Sequence, residues 1–341
     1  MPTSADPPTS PVAARLGPFP VTSRPVALVM GASRGLGLLI ARELLERDHR
    51  VVICSRTRSD LEAARDQLVA LRPDAGVETR VCDVSDRAAV QGLVEDVESG
   101  VGPIEVLITV AGVIQVGPAA AMTFDHFDAS LGIMLHGPIN ITLPVVERMR
   151  GRGHGRIGTI TSIGGEVTPP HLWPYAVAKS GAVAFSEGLS AELSGSGVTA
   201  TTVVPGLMRT GSHERAHFTG QAAKEFAWFG PAASIPGLTM SADRAARKIV
   251  DAVLAGDTRC ELTPLTMVAT RFRGLLPGVT TKMMGLTSRL LPSASGPGET
   301  IEGRDAQRRL DSSVVHALTT LGRRAAERNN ERRPTTQAQE P

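Results

Sequence analysis

Residues 26–37 read VALVMGASRGLG, a short apolar strand that runs into a glycine-rich turn. The glycines follow the spacing GxxxGxG, and the apolar pattern of a helix begins directly after the turn. A strand, a glycine turn and a helix N-terminus together present free backbone N–H groups and the positive end of the helix dipole to a pyrophosphate. Similar turns also join strands to helices for packing alone, so both interpretations stay open at this point. The residues expected at the phosphate end of a dinucleotide site are Gly31, Ser33, Arg34, Gly35, Leu36 and Gly37.

Beyond this turn, short strand-like runs alternate with helical patterns as far as about residue 263. The predicted strands are Val26–Met30, Val51–Cys54, Thr79–Cys82, Val106–Val110, Arg156–Thr161, Val198–Val204 and an added one near Arg259–Leu262. Such alternation is typical of βα units around a buried parallel sheet. The sequence therefore predicts one α/β domain over residues 25–263, a Rossmann-type doubly wound parallel sheet of about seven strands with helices on both faces and a C-terminal helical extension.

The bulk composition narrows the class of protein. The 341 residues carry a formal net charge of +2 and are 42% hydrophobic, which fits a sizeable core and not a dedicated nucleic-acid binder. The cysteines Cys54, Cys82 and Cys260 show no metal-ligand spacing and leave an odd one over, which favours a reducing compartment. No apolar run is long enough for a transmembrane helix. We expect a cytoplasmic protein that binds neither nucleic acid nor a metal ion.

Both ends of the chain depart from the βα pattern. Residues 1–24 are rich in proline and are expected to form a disordered tail. Residues 264–296 form an apolar and cationic helical extension, which Pro277 splits in two. From residue 297 to residue 341 the chain is polar and is expected to be largely disordered, apart from a short helix around residues 310–321.

One helical face of the extension collects Val279, Met283, Leu286 and Leu290. We expect this apolar face to be buried, either as a cap on the substrate pocket or in the seam of a homodimer or homotetramer. The neighbouring cations leave binding to a membrane surface as the alternative.

The second predicted strand ends in Cys54-Ser55-Arg56, where NAD-binding Rossmann folds carry an acidic residue for the ribose 2′-hydroxyl. No carboxylate stands here, and Arg56, assisted by Arg34 of the glycine turn, offers guanidinium groups to a 2′-phosphate. This pattern favours NADP(H) over NAD(H). Asp83 and Val84, just after the third strand, are expected at the adenine edge of the same site.

Tyr175 is the only tyrosine in the chain and lies four positions before Lys179, near the start of a helix marked by Pro174. Residues four apart share one helical face. A phenol that exchanges a proton near neutral pH needs a nearby cation, and Lys179 supplies one. Ser162, at the end of the preceding strand, is placed to hydrogen-bond a substrate oxygen.

These residues together resemble the short-chain dehydrogenases/reductases over about residues 25–210 and more loosely to residue 263. That family has a GxxxGxG turn, a serine before the tyrosine, YxxxK and a later Pro-Gly turn, all of which have counterparts here. The resemblance implies hydride transfer between NADP(H) and a carbonyl or secondary alcohol, with Tyr175 as general acid/base and Ser162 polarising the oxygen. It also implies cofactor contacts for Ala111, Gly112, Tyr175, Lys179, Pro205, Gly206 and Thr210.

The chain departs from the family pattern at two places. Thr109-Val110-Ala111-Gly112 stands where Asn-Asn-Ala-Gly is usual, and Met134 stands where an asparagine usually holds a relay water. A thioether does not replace that amide well. The alternative function is therefore a catalytically impaired NADP(H)-binding sensor or scaffold. His136, next to Met134, is a weak candidate for the relay.

Residues 207–240 follow the Pro-Gly turn and form the expected substrate loop, with the aromatic residues Phe218, Phe226, Trp228 and Phe229. Clustered aromatic side chains beside a reacting centre suit a small apolar carbonyl or alcohol, and an ordinary packed subdomain is the alternative. His213 and His217 have helical spacing, but no carboxylate or thiol partner indicates a metal site.

Overall fold

The computed structural model describes residues 24–74, 76–235, 239–293, 296 and 298–332. The strands are β1 Val26–Met30, β2 Arg50–Ser55, β3 Val77–Val81, β4 Ile104–Thr109, β5 Gln115–Val116, β6 Gly155–Ile160, β7 Val198–Val204, β8 Met208–Arg209, β9 His217–Phe218, β10 Met240–Ser241, β11 Arg259–Glu261 and β12 Ile301–Glu302. The α-helices are α1 Gly35–Glu46, α2 Arg58–Leu71, α3 Arg87–Gly100, α4 Phe124–Leu131, α5 Gly137–Arg152, α6 Ile163–Val167, α7 Trp173–Glu192, α8 Ser212–Arg215, α9 Ala222–Ala232, α10 Ala242–Ala255, α11 Pro264–Leu275, α12 Pro277–Ser288, α13 Gly303–Leu310, α14 Ser313–Leu318 and α15 Thr320–Arg328. The proline-rich tail expected over residues 1–24 lies outside the described residues, apart from Arg24.

The central sheet has seven parallel strands in the order β11-β7-β6-β4-β1-β2-β3. The chain runs outward from β1 in both directions, so the order reverses between β1 and β4. Ligands of doubly wound folds bind at this reversal, outside the carboxyl ends of the strands. The seven-stranded Rossmann-type sheet predicted from the sequence is confirmed, and β1 and β7 have the predicted bounds.

Two apolar cores cover the two faces of the sheet. On one face Leu39 and Ile40 of α1 pack with Ile249 of α10, which explains the stripe of apolar residues on both helices. On the other face α3 and α5 pack against β4 and β6, with Val94 and Ile141 in the centre. The strands are buried on both sides, as the continuous apolar runs in the sequence predict. Helices on both faces are therefore confirmed.

The helical stretch Phe124–Arg152 is long and apolar enough to cross a membrane by length and composition, and half of its most apolar window is buried inside the protein. It packs through α5 on the sheet and on α3, as a core helix does. A π-helical turn, Gly132–His136, interrupts the stretch. Such turns occur frequently at functional sites because they shift the direction of the side chains that follow.

A small second layer covers the substrate side of the sheet. β5, β9 and β12 form a three-stranded sheet, on which α9 and α13 pack. Phe218, Phe226 and Phe229 fill its core together with Ile301 and Ala306. The C-terminal part of the chain thus completes a core that residues 207–233 begin.

The C-terminal extension differs from expectation in two ways. The split at Pro277 occurs as predicted, but α12 has its main helix contact with α11 and leaves its apolar face exposed, with Leu286 63% and Leu290 83% accessible. Residues 298–332 correct the expectation of a largely disordered tail, because β12 and three helices lie within them. A few buried small or apolar side chains, such as Ala325 and Ala326, dock these helices while their charged residues face solvent. The high overall polarity concealed this amphipathic pattern.

Candidate active site

A cavity of about 590 Å³ opens at the carboxyl ends of the central strands, where the strand order reverses. The cavity receives residues that directly follow β1, β4, β6 and β7. The predicted site residues that line it are Gly31, Ser33, Arg34, Gly35, Leu36, Gly37, Arg56, Val84, Ala111, Gly112, Ser162, Tyr175, Lys179, Pro205, Gly206 and Thr210. Asp83 is not among the lining residues and lies at the rim, where its carboxylate accepts hydrogen bonds from Ser85.

Each glycine of the first turn has its own structural reason. Gly31 has a φ of +85°, and a side chain there would meet the backbone nitrogen of Ala111 at 2.5 Å. A Cβ on Gly37 would lie 2.2 Å from the Gly31 carbonyl oxygen. Gly35 also has a positive φ, and its open side faces a carboxylate oxygen of Glu331. The turn is thus a cradle without side chains at the N-terminus of α1, which fits the phosphate groups of a dinucleotide.

The two arginines expected at the ribose edge are in different situations. The Arg56 side chain is 61% exposed at the cavity rim, and its nearest acidic partner is the Asp83 carboxylate at 3.8 Å. The Arg34 guanidinium donates to the Asp60 carboxylate at 2.7 Å. Arg56 is therefore the freer of the two cations for a phosphate of a ligand.

Ser162, Tyr175 and Lys179 meet in the cavity wall. Ser162 caps α6, where its hydroxyl accepts a hydrogen bond from the Gly164 backbone at 3.0 Å. The Tyr175 ring lies beside the same glycine, so the phenol and the Ser162 hydroxyl are neighbours. The Lys179 ammonium donates to the Ile160 carbonyl at 2.7 Å. The strand end, the cap and the first turns of α7 thus bring together three groups that lie apart in the sequence.

Burial shifts the proton affinities of both titratable groups. Desolvation raises the pKa of the Tyr175 phenol, and the hydrogen bond with Ser162 opposes this shift. Desolvation lowers the pKa of Lys179 to about 8, because the buried ammonium has lost much of its hydration. The pair combines a protonated phenol with a lysine that titrates close to neutral pH, which suits proton transfer.

The altered family positions lie in the π-helical turn and at the end of β4. Met134 lies in the π-helical turn and is buried, with its sulfur close to Gly112. The hydroxyl of Thr109 is buried and has no hydrogen-bond partner among the described residues. His136 is exposed and does not line the cavity, so this geometry does not favour it as a relay residue.

The aromatic residues of the substrate loop divide into two groups. Phe218, Phe226 and Trp228 pack in or against the second layer and do not line the cavity, whereas Phe229 does. Leu207, with further apolar residues, also lines this end of the cavity. The packed subdomain is thus the better description of most of the cluster.

The two histidines of the substrate loop lie in different surroundings. His213 is buried against Phe226 and His217 lines the cavity. In the part of the chain that the structure describes, no three or more histidine, cysteine or acidic residues converge as metal ligands do.

Arg215, Glu302 and Glu331 line the cavity and were not predicted. Arg215 lies in the short helix α8 and Glu331 close to the end of the described chain. No motif or spacing points to either residue. Arg215 reaches the cavity from α8, and Glu331 reaches it because the last described residues dock on the glycine turn.

Comparison with known proteins gives consistent matches. The profile of the family described as short chain dehydrogenase matches residues 25–218, more than half of the chain. A putative ketoacyl reductase of Streptomyces coelicolor is 38% identical over 189 residues, which cover 54% of this chain and 71% of the relative. An acetoacetyl-CoA reductase of Paracoccus denitrificans is 34% identical over 185 residues, which cover 54% of this chain and 74% of the relative.

Solved structures agree with this assignment. A variant of the actinorhodin polyketide ketoreductase with NADPH matches with a TM-score of 0.62 and 26% identity, covering 70% of this chain and 95% of that one. A short-chain dehydrogenase from Streptomyces avermitilis matches with a TM-score of 0.67 and 26% identity, covering 80% of this chain and 98% of that one. The fold, the site at the strand ends and these relatives lead to one conclusion: the chain belongs to the short-chain dehydrogenases, oxidoreductases that act on CH–OH and C=O groups.

Proposed function

We propose that this protein is an NADP(H)-dependent oxidoreductase that interconverts a carbonyl and a secondary alcohol on an apolar substrate, with Tyr175 as general acid/base. The observation that carries the proposal is the convergence of Ser162, Tyr175 and Lys179 in the cavity that also contains the glycine cradle. A bound nicotinamide supplies or accepts the hydride. The cradle of Gly31, Gly35, Gly37 and the N-terminus of α1 holds its phosphates, and Arg56 selects the 2′-phosphate.

The protein's own groups handle the substrate oxygen and its proton. The Ser162 hydroxyl hydrogen-bonds the substrate oxygen and polarises the C–O bond. In the reducing direction the Tyr175 phenol donates its proton to that oxygen. The Lys179 ammonium stabilises the phenolate that remains, since a positive charge close to a phenol favours its ionised form. In the oxidising direction the same groups act in reverse.

The substrate proposal depends on the lining of the cavity. The cavity that contains Tyr175 is also lined by apolar residues, among them Ile114, Leu172, Leu207 and Phe229. Such a surface favours an apolar chain or ring beside the carbonyl. The relatives named as ketoacyl and acetoacetyl-CoA reductases make β-keto thioesters the first compounds to assay.

We further propose that the protein acts in the cytoplasm as a homodimer or homotetramer. The free cysteines Cys54, Cys82 and Cys260 support a reducing compartment. The exposed apolar face of α12 supports self-association.

Replacing Tyr175 with phenylalanine tests the proposed chemistry. Tyr175→Phe keeps the ring and removes the proton, so we expect the rate of NADPH-dependent reduction to fall by about 10²–10⁴-fold. The Kd for NADPH should change little because the phenol is not needed to hold the phosphates. The measurement is a steady-state assay on a panel that contains acetoacetyl-CoA, alicyclic ketones and long-chain ketones.

The same assay distinguishes the enzyme from the sensor or scaffold. A sensor would bind NADPH but show no turnover that depends on Tyr175. If the parent protein and Tyr175→Phe are equally active, or equally inert over the whole panel, the proposed hydride transfer is wrong.

A further inference from the structure

The last described residues of the chain lie at the phosphate end of the cavity. The carbonyl of Asn329 accepts a hydrogen bond from the Gly35 backbone N–H at 2.8 Å. The side-chain amide of Asn330 donates to the carbonyls of Ser33 at 2.8 Å and Asp60 at 3.1 Å. Residues 329–332, called the plug below, are therefore bound directly to the glycine turn.

Glu331 places a carboxylate at the N-terminus of α1. Its side chain is buried, and one oxygen accepts a hydrogen bond from the Gly211 backbone N–H. The other oxygen lies 2.8 Å from the position that a Cβ on Gly35 would take. An anion thus faces the side of the turn that has no side chains, where helix N–H groups and the helix dipole favour negative charge.

The surroundings of this carboxylate are basic. Burial raises the pKa of Glu331 to about 7, and the negative charge of Glu214 acts in the same direction. The Gly211 N–H, Arg34 and Arg215 act in the opposite direction. Arg215 lines the cavity, is half-buried, and has a buried Nε without a partner among the described residues. Its pKa is lowered by burial and then by the neighbouring Arg34. A desolvated guanidinium of this kind is unfavourable until an anion joins it.

Ion pairs of Arg332 also hold the plug against α8. Arg332 forms a two-pronged ion pair with the buried Glu214, at 2.9 and 2.6 Å, and a further one with Glu327. Glu214 belongs to α8, the same short helix as Arg215. The ion pair therefore holds Glu331 beside Arg215 and the glycine turn.

We propose that the plug is a tethered competitor of the cofactor, in which the Glu331 carboxylate occupies the subsite for the pyrophosphate and Arg215 completes that subsite. The proposal rests on the proposed function, since it presumes that the glycine cradle takes a dinucleotide. The Asn329 carbonyl already takes the Gly35 N–H, and the Glu331 carboxylate lies against the open side of the same turn, so the cofactor binds only after the plug leaves. The apparent affinity is then the intrinsic affinity multiplied by the fraction of molecules with the plug released.

The test compares NADPH binding by the full-length protein, Glu331→Gln and a chain that ends at Arg328. If the plug is in place about nine-tenths of the time, both changes should lower the Kd for NADPH by up to about tenfold. Glu299→Gln makes the same chemical change at an exposed residue outside the cavity and should leave the Kd unchanged. Arg215→Gln in the shortened chain should weaken NADPH binding, which tests the second half of the proposal.

A smaller probe separates this subsite from the rest of the pocket. The compound 2′-AMP has an adenine and a 2′-phosphate but no pyrophosphate, so its Kd should be nearly the same in all these proteins. Should 2′-AMP gain affinity as much as NADPH does, the plug would be blocking the whole site and the assignment to the pyrophosphate would be wrong.

Limited trypsin digestion of the full-length protein gives a second readout that does not depend on a variant. Bound NADPH should speed cleavage after Arg328 and Arg332, because it drives the plug out, and 2′-AMP should not. Protection of these bonds by NADPH would overturn the proposal, since the plug would then close over the cofactor. Clear NADPH binding with equal Kd values in all variants would refute only this inference, whereas no binding in any protein would refute the proposed function.

Discussion

Among single residues, Arg56 offers the sharpest test of cofactor selection. Its side chain is exposed at the rim of the cavity, and its guanidinium lies 3.8 Å from the Asp83 carboxylate. A charge-assisted contact with the 2′-phosphate contributes about 1.5–3 kcal/mol, so Arg56→Asp should raise the Kd for NADPH by at least about tenfold. The Kd for NADH should stay the same or fall, as measured by fluorescence titration.

Arg58 provides a matched control for this change. It is exposed at the start of α2 and does not line the cavity, so Arg58→Asp introduces the same charge without removing a ligand. An equal loss of affinity for NADPH and NADH in Arg56→Asp would argue against a 2′-phosphate contact. Equal Kd values for NADPH and NADH in the parent protein would also argue against a 2′-phosphate contact.

The proposed role of Lys179 predicts how the rate of carbonyl reduction depends on pH. Burial lowers the pKa of Lys179 to about 8, so its positive charge is lost as the pH rises through that value. In the proposed mechanism, reduction needs the ammonium to stabilise the phenolate that forms when Tyr175 gives up its proton. We expect kcat/KM for carbonyl reduction to be highest below pH 8 and to decline above it, as this parameter reports the groups of the free enzyme. A profile that is flat or rising between about pH 6 and pH 10 would contradict this role for Lys179.

Among the elements, the helix pair α11–α12 leaves a row of apolar side chains exposed, although α11 itself packs on α6 and β11. No residue of 264–293 lines the cavity, whereas Glu302 and Glu331 do. The cap on the pocket that the sequence predicted for this helix pair is therefore formed by a later part of the chain. The apolar face remains exposed, with Leu275 81% and Leu290 83% accessible. We expect this face to form a contact with a second copy of the chain.

Replacing Leu286 and Leu290 with serine should therefore shift the protein to a smaller oligomer, measured by size-exclusion chromatography with light scattering. Leu71→Ser is the control, because Leu71 is an exposed apolar residue on α2. A parent protein that is monomeric at micromolar concentration would contradict the prediction. Flotation of such a monomer with anionic vesicles would instead favour the membrane alternative.

For the molecule as a whole, the sequence predicted those features of the structure that depend on interactions between residues close together in the chain. The apolar runs of β1 and β7 have the predicted bounds, because buried parallel strands must be apolar throughout. The GxxxGxG turn was recognisable because the backbone around Gly31 and Gly37 leaves no room for side chains. Tyr175 and Lys179 line the same cavity, as expected for two residues that are one helical turn apart.

The C-terminal part of the chain shows why the remainder could not be predicted. Residues 298–332 appeared too polar to fold, since their few apolar contacts, such as Ile301 and Ala306, are made with distant aromatic residues. The contact between Asn330 and Ser33 joins positions that are 297 residues apart. Neither residue carries a pattern that identifies the other.

The sequence by itself thus determined the family, the doubly wound sheet, the glycine turn and the candidate residues for proton transfer. The tertiary structure alone decided that the apolar face of α12 is exposed and that Arg215 and the Glu331 carboxyl group line the cavity. The physical reason is the range of the interactions. Backbone sterics and side-chain periodicity act over a few residues and leave a pattern in the sequence, whereas docking of a terminal segment depends on the shape and charge of a surface that exists only after folding.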